Sequence, residues 1–300
     1  MTQNHICVCI CTYKRPALLG NLLANLEKQK TENVFNYSVV VVDNDKLESA
    51  RHTVQSHAQQ SKIDVIYVVE PEQNIALARN RAVENATGDF IAFIDDDEFP
   101  EHDWLLNLYE ASQKFHADGV LGPVRPFFQM DPPAWVVRGK LCERESFNTG
   151  TVLKKSKYTR TGNVLLNGKL FLNKDNLFDP LLGKSGGEDI DFFGRLIRKK
   201  HKFVWCNEAI VNEEVPRERL NRSYFVKRAL LQGVVSSRRM KLFSLWGIKS
   251  VTASVAYSVA LPVLLLVRHD LFMKYLIKDC NHIGRILALC GVKILKERTW

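Results

Sequence analysis

The chain has 300 residues, and its 46% hydrophobic and 25% charged residues exclude collagen-like, coiled-coil and wholly disordered proteins. No uncharged run reaches the roughly 20 residues of a confident membrane span, which excludes a polytopic membrane protein. The net charge of +9 is uneven: residues 217–300 hold 16 Lys and Arg against 4 Asp and Glu, so the first 216 residues form a near-neutral body.

Apolar runs and amphipathic stretches alternate along the first 121 residues. The predicted strands are 6–11, 38–42, 65–69, 90–94 and 119–121, and the predicted helices are 16–29, 46–60, 75–85 and 103–115. Strands that alternate with helices form right-handed βαβ units, and continuous apolar strands are buried on both faces. The pattern predicts an α/β fold with a Rossmann-like, mainly parallel sheet flanked by helices.

Residues 123–187 are rich in Pro and Gly, and they contain only the short strand candidates 151–153 and 164–166. We interpret them as the loop-rich second half of the same domain. A helix is predicted over 188–200, and a strongly basic helix over 220–242. An uncharged stretch that contains Pro262 follows at 250–267.

The seven cysteines are odd in number and scattered, and no pair has the C-x₂-C spacing of a zinc site. Cys7, Cys9 and Cys11 alternate along the first strand, so we expect small core residues on one face rather than ligands. This usage indicates a reduced cytosolic protein. The N-terminal apolar run is short and is followed by Lys14 and Arg15, so no signal peptide is predicted.

Polar side chains follow three predicted strands where each strand ends, at Thr12, at Asp43 and at the run 95–97. In parallel sheets ligands bind beyond the carboxyl ends of the strands. Asp95 and Asp97 lie on the same side of an extended segment, and carboxylate oxygens suit Mg²⁺ or Mn²⁺, which bridge to phosphates. The alternative is a solvated acidic turn before the next helix.

Two glycines precede the helix that begins near Glu188, and they allow a tight turn of the backbone. Glu188 and Asp189 then stand in the first turn, where the helix dipole favours acids. A carboxylate fixed at a helix start is well placed as a general base. A purely structural cap with acids is the alternative, and the two interpretations are compatible.

Five sequence pieces, in one order, resemble family 2 glycosyltransferases, which have the GT-A fold. They are CTYKRP at 11–16, VVVDND at 40–45, NIALARN at 74–80, GDFIAFIDDDE at 88–98 and GGEDIDFF at 186–193. LGPVR at 121–125 and GKSGGEDIDFF at 183–193 look more like glucosyltransferases of succinoglycan-type exopolysaccharide synthesis. The resemblance covers about residues 5–240. It implies an inverting transfer of a sugar, such as glucose, from a nucleotide-diphosphate donor, often a UDP-sugar.

The resemblance also assigns residues. Those that would line the nucleotide pocket are Thr12, Tyr13, Arg15 and Asn74. Asp43 would accept a hydrogen bond from the base, Asp96 would approach the ribose, and Asp97 with Asp95 would hold a divalent metal, Mg²⁺ or Mn²⁺. Asp189 would be the catalytic base, and Glu188 would support it or contact the acceptor.

The implied domain plan is a glycosyltransferase domain over 1–240, with a nucleotide-sugar half at 1–122 and an acceptor half at 123–240, then a helical tail at 241–300. One departure stands out, because relatives often carry a His near the position of Asn212. Arg217 and Arg219, which lie close by in sequence, are candidates for phosphate or ordinary surface charge.

The tail combines the stretch 250–267 with flanking basic residues, which suits anionic lipid. The alternatives are interfacial or re-entrant membrane contact, a packed soluble helix and a true span. Peripheral contact would fit a lipid-linked glycan acceptor at the inner face of the plasma membrane; no nucleic-acid partner is expected. Two other functions stay open, a sugar nucleotidyltransferase and a non-catalytic basic module that binds membrane or nucleic acid.

Overall fold

The computed structural model describes residues 3–237 and 245–292, which form two compact units. The first unit contains the described residues up to Arg125 together with Arg144–Glu213, and the second contains Pro126–Glu143 and the described residues from Glu214 onward. The boundaries of these compact units differ from the predicted domain boundaries at residues 122 and 240. The predicted functional division at those residues stays a prediction.

The strands and helices are numbered in chain order. The strands are β1 (Asn4–Thr12), β2 (Phe35–Asp43), β3 (Val65–Val69), β4 (Phe90–Ile94), β5 (Glu98–Pro100), β6 (Gly119–Leu121), β7 (Val124–Phe127), β8 (Asn163–Asn167), β9 (Phe203–Trp205) and β10 (Val211–Glu214). The helices are α1 (Pro16–Leu26), α2 (Arg51–Ala58), α3 (Ile75–Asn85), α4 (Trp104–Phe115), α5 (Ala134–Arg138), α6 (Pro180–Gly183), α7 (Glu188–Arg198), α8 (Arg222–Ser237), α9 (Leu245–Val267) and α10 (His269–Leu289).

The main sheet has seven strands in the order β3-β2-β1-β4-β8-β6-β9. The first four are parallel neighbours, as the alternating pattern predicts. β8 runs antiparallel to both β4 and β6, and β9 is parallel to β6. A smaller sheet has the order β5-β10-β7. The prediction of a mainly parallel sheet is therefore confirmed.

Successive residues of the central strands enter two separate hydrophobic clusters, one on each face of the sheet. Along β1, Ile6, Val8 and Ile10 belong to one cluster, and Cys7 and Cys9 belong to the other. This division follows from the two-residue period of a strand. The predicted role of the first cysteines as core residues is confirmed, and all seven cysteines are free thiols.

The helix predicted over 46–60 is shorter in the structure, because α2 begins only at Arg51. The carboxylate of Asp43 accepts hydrogen bonds from the backbone N–H groups of Asp45 and Ala50, and Asp45 accepts one from Leu47. Such side-chain bonds to the backbone compete with helix formation and favour turns. The candidate strand 151–153 is reduced to a single bridge between Val152 and Val204.

The second unit is built mainly from α8, α9 and α10. Gly233 of α8 and Gly284 of α10 each lie against the backbone of the facing helix, where a Cβ would collide with a carbonyl oxygen. The predicted helix 220–242 appears as α8, and its last five residues lie outside the described part of the chain. α10 follows α9 after a single residue, so the predicted helical nature of the tail is confirmed for Leu245–Val267 and His269–Leu289.

Asn163 joins three segments of the first unit, and its side chain is fully buried. Its Oδ1 accepts a hydrogen bond from Trp104 Nε1, and its Nδ2 donates to the carbonyls of Pro123 and Ala209. Replacement by Ala leaves three buried polar groups without these partners. We predict that Asn163→Ala lowers the free energy of unfolding by about 3 kcal/mol or more, measured by urea denaturation.

Asn85→Ala is the matched control, because the Asn85 amide makes one hydrogen bond to the carbonyl of Arg81 at an exposed site. Its effect should stay within about 0.5 kcal/mol, as for most surface substitutions. Equal losses of stability in the two variants would contradict the role given to Asn163.

Candidate active site

The carboxyl ends of β1 and β4 place the first group of predicted residues together. Thr12 is the last residue of β1, and its Oγ1 donates to Asp96 Oδ2 at 2.7 Å. Arg15 Nη1 lies 3.1 Å from Asp96 Oδ1 and 3.2 Å from Asp97 Oδ2. Burial raises the pKa of Asp96, and Arg15 and Thr12 oppose that rise by stabilising the ionised form. Tyr13 lies partly buried on the same loop.

Asp95 faces a different set of partners from its two neighbours. Its carboxylate is half exposed, with Oδ1 3.8 Å from Arg79 Nη2, and its backbone N–H donates to Glu98 Oε2 at 3.0 Å. Glu98 is 2% exposed. Its pKa is raised well above the ordinary value, because burial removes solvent and the charge of Asp95 lies close by.

A buried arginine connects this acidic run to the start of α7. Arg79 lies on the buried face of α3, and its Nη1 donates to Glu188 Oε1 at 2.5 Å. The guanidinium also lies 5.6 Å from the ring centroid of Phe178. Both side chains of the ion pair are 9% exposed. Arg79 therefore links Asp95 and Glu188, which are far apart in sequence.

Asp189 occupies the second position of α7, directly after Glu188. Gly186 and Gly187 have φ of +79° and +95°, a left-handed conformation that strains other residues, so the predicted need for glycine is confirmed. Desolvation and the neighbouring charge of Glu188 raise the pKa of Asp189 to about 6, although Arg79 acts in the opposite direction. This pKa suits a group that accepts a proton near neutral pH.

The remaining predicted residues, Asp43 and Asn74, belong to a hydrogen-bond network around the loop that follows β2. Asp43 is completely buried, and its carboxylate accepts from two backbone N–H groups and from Tyr67 Oη at 2.9 Å. Asn74 caps α3 by accepting from the N–H groups of Ala76 and Leu77, and its Nδ2 donates to Pro180. These contacts use most of the hydrogen-bonding capacity of both side chains. The predicted contacts of Asp43 and Asn74 with a nucleotide stay predictions.

Several residues of the site escaped prediction from the sequence. They are Asn44, Arg79, Glu98, Arg144 and Arg160. Asn44 Oδ1 accepts from the N–H of Asn74, and Asn44 Nδ2 donates to the carbonyls of Glu70 and Glu72. Asn44, Arg79 and Glu98 stand inside motifs that the sequence already marked, so their polarity beside buried apolar residues was the available signal.

The carboxylates fit a divalent metal in one specific way. No group of three His, Cys, Asp or Glu side chains able to hold a metal is found among residues 3–237 and 245–292. Protein-bound Mg²⁺ commonly takes one or two carboxylates and completes its coordination with substrate phosphates and water. Asp95, half exposed, and Asp97, paired with Arg15, fit that role, provided that Arg15 yields its contact with Asp97.

Comparisons with known proteins bear on this arrangement. The family described as glycosyl transferase family 2 matches residues 7–175, more than half of the chain. The chain belongs to this family. Asn44, Arg79 and the run 95–98 lie inside the matched range, whereas Glu188 and Asp189 lie beyond it, so the role of the latter two rests on the geometry of α7.

Individual relatives agree with membership of glycosyltransferase family 2. The succinoglycan biosynthesis protein ExoM of Rhizobium meliloti (strain 1021) is 33% identical over 98% of this chain and 95% of its own length. The glucosyl-dolichyl phosphate glucuronosyltransferase of Haloferax volcanii is 25% identical over 79% of this chain and 77% of its own length.

Solved structures show the same fold. The structure of S. aureus TarS 1–349 in complex with UDP-GlcNAc has a TM-score of 0.56 at 14% identity and covers 96% of this chain and 91% of that one. A longer TarS structure matches too, and there the chain covers 55% of it. The predicted GT-A fold is confirmed, and the protein is a glycosyltransferase rather than either alternative left open by the sequence.

We predict that Arg79→Gln lowers the free energy of unfolding by about 3–5 kcal/mol, because it leaves the buried Glu188 carboxylate without its cation. The measurement is urea denaturation at pH 7.5. The same substitution removes a charge that lowers the pKa of Asp189, so that pKa should rise above its present value.

Arg81→Gln is the matched control on the same helix, because Arg81 is half exposed and pairs with Glu84 at the surface. Its effect should be about 0.5 kcal/mol or less. Equal losses of unfolding free energy in the two variants would show that the buried Arg79–Glu188 pair stabilises the protein no more than a surface pair does.

Proposed function

We propose that this glycosyltransferase moves a hexose, such as glucose, from a UDP-sugar to a hydroxyl of a lipid-linked glycan in bacterial exopolysaccharide synthesis, with inversion at the anomeric carbon. The observation that carries the proposal is the position of Asp189. It stands at a helix start that two left-handed glycines precede, and its pKa is raised to about 6. Its neighbour Glu188 is joined through Arg79 to Asp95, which follows β4.

The donor half of the proposal rests on the ends of β1 and β4. Thr12 and Arg15 hold Asp96 and Asp97 in place, and the ligand edge of a parallel sheet is where nucleotides bind. The choice of UDP is supported by TarS, which was solved with UDP-GlcNAc and has the same fold. The biosynthetic context is supported by the near full-length similarity to ExoM.

Asp189 would act as the general base. An acceptor hydroxyl is a weak nucleophile near neutral pH, so its proton must pass to a base as the oxygen attacks the anomeric carbon. The Asp189 carboxylate would take that proton, and the C–O bond to the diphosphate would break as the new glycosidic bond forms. Glu188, held by Arg79, would keep the start of α7 in position.

A divalent ion bound by Asp95 and Asp97 would neutralise charge that develops on the leaving diphosphate. The protein groups that hold the residues around this position are Arg15, which pairs with Asp96, and Glu98, which accepts the N–H of Asp95. Together they fix the backbone of the acidic run before any substrate arrives. Alignment of two bound substrates then supplies much of the remaining rate advantage.

The lipid-linked acceptor is supported by α9 and by one relative. Among the described residues, α9 alone is long and apolar enough, by its length and composition, to cross a membrane. Its exposed apolar residues include Trp246, Val255, Val259 and Leu266, the last 88% exposed. The Haloferax volcanii relative is named for a dolichyl phosphate substrate.

Charge at the ends of α9 favours a lipid surface as the partner of its apolar face. Lys249 and Arg268 flank 18 residues without a charge. Ser254 and Ser258 donate to Asp279 of α10, so these two hydroxyl groups face a neighbouring helix. An apolar face with cations at its ends suits insertion at the surface of an anionic membrane, which would place the enzyme at the cytoplasmic face.

We predict that Asp189→Asn lowers kcat about 100- to 10,000-fold, because the amide cannot accept the acceptor proton. UDP binding, measured by the rise in melting temperature with Mn²⁺ present, should persist. In the wild type, kcat/KM should be constant above pH about 6 and fall tenfold per pH unit below it, since the base is active only when ionised.

Asp97→Ala supplies the converse control, because it should remove the Mn²⁺-dependent stabilisation by UDP. Asp103→Asn, at an exposed site paired with Lys30, should change neither property. Wild-type protein that gains no stability from any nucleoside diphosphate, or an Asp189→Asn variant with full activity, would refute the assignment.

We predict that the protein floats with vesicles that contain phosphatidylglycerol, and that Val259→Lys lowers the bound fraction at least about tenfold by placing a charge against hydrocarbon. Leu172→Lys is the matched control, because Leu172 is 83% exposed in the first unit. Wild-type protein that remains at the bottom of the gradient, or equal flotation of the two variants, would contradict membrane contact through α9.

A further inference from the structure

Four arginines surround the acidic residues of the site, and one of them differs from the other three. Arg15 pairs with Asp96 and Asp97, and Arg79 pairs with Glu188. Arg144 bonds Glu213 and lies 3.9 Å from Glu98. Arg160, in the segment before β8, makes no hydrogen bond or ion pair with any residue that the structure describes.

The segment of Arg160 passes directly over the carboxylates at the end of β4. A Cβ on Gly162 would approach Glu98 Oε1 to 2.7 Å and Asp95 Oδ2 to 2.9 Å, so this backbone lies in contact with both acids. Arg160 is close enough to Asp189 to lower the pKa of that carboxyl. Arg160 therefore lies within electrostatic reach of Asp189, and it precedes by two residues the glycine that contacts the acidic run.

The surroundings of Arg160 penalise its charge. Burial, followed by the like charge of Arg144, lowers the pKa of Arg160 to about 10, although Asp189 and Glu98 partly offset both effects. Its guanidinium stays charged at neutral pH and carries five N–H donors with no direct acceptor. A partly buried cation of this kind gains more than a solvated one from an anionic ligand.

We propose that Arg160 binds the diphosphate group of a substrate. The planar guanidinium matches two phosphate oxygens at once. The diphosphate belongs either to the donor nucleotide or to the lipid carrier of the acceptor. The inference rests on the proposed function and adds to it the residue that receives this group.

The test measures dissociation constants of the full chain, with Mn²⁺ present, for UDP, UMP, inorganic pyrophosphate and farnesyl diphosphate. Arg160→Gln should weaken binding of the diphosphate about tenfold to a hundredfold, the loss expected for hydrogen bonds between charged groups. If Arg160 binds the donor, the substitution should weaken the binding of UDP and pyrophosphate and leave the binding of UMP and farnesyl diphosphate unchanged. If Arg160 binds the acceptor, the substitution should weaken the binding of farnesyl diphosphate and leave the binding of UDP unchanged.

Two further variants make the result specific. Lys155→Gln removes one positive charge from the same segment and should leave every constant within about twofold of the wild type, because an exposed lysine contributes little. Arg160→Lys keeps the positive charge but loses the planar guanidinium that bonds two oxygens at once, so it should bind the diphosphate with intermediate affinity. It replaces Arg160→Gln if that variant does not fold.

The outcomes separate this inference from the proposed function. If the Arg160 variants bind both UDP and farnesyl diphosphate as tightly as the wild type, the inference is overturned and the proposed function is not. This holds even if the pH profile of activity changes. Farnesyl diphosphate binding that depends on Arg160, in a protein that binds no UDP, supports the inference and overturns the donor assignment. A wild-type protein that binds no diphosphate overturns both.

Discussion

A buried guanidinium allows this site to exist at its present density of negative charge. The acids at the end of β4 and at the start of α7 are brought together by the fold, and like charges in a poorly solvated space repel strongly. Arg79 supplies the charge that offsets them, since it bonds Glu188 at 2.5 Å and lies 3.8 Å from Asp95. Arg79 of α3 thus adds an ionic contact to the apolar packing of Phe192 and Phe193, which holds α7 against the sheet.

That side chain is held by the neighbours of its own helix. Asn80 of α3 donates to the carbonyl of Phe178 and accepts from its N–H, a pair of bonds that ties α3 to the chain just before α6. Asn74 makes a further tie to Pro180. Neutral amides thus fix the helix, and the charged residue is left to face the carboxylates. Perturbed carboxyl groups near neutral pH arise in such crowded, supported sites.

The sequence predicted the elements that follow local rules. The parallel strands, the glycines before α7 and the acids at the strand ends were all visible, because period, turn geometry and strand termini leave local signals. The partners of those acids were not visible. Arg79 meets Glu188 across 109 positions of the chain, and Arg144 meets Glu213 across 69, so only the fold brings them together. The polar turns around Asp43 shortened α2 for a related reason: their bonds compete with a helix that composition alone favours.

The reversed direction of β8 has a consequence for how such a site diversifies. In a wholly parallel sheet, only the segments that leave the strands reach the ligand edge. Because β8 is antiparallel to β4, the segment that enters it arrives at that edge instead, and Gly162 meets Asp95 and Glu98 there. The long, irregular connection before β8 thus delivers its end to the reacting groups. Insertions or substitutions along it could change which substrate is accepted while every strand pairing stays intact.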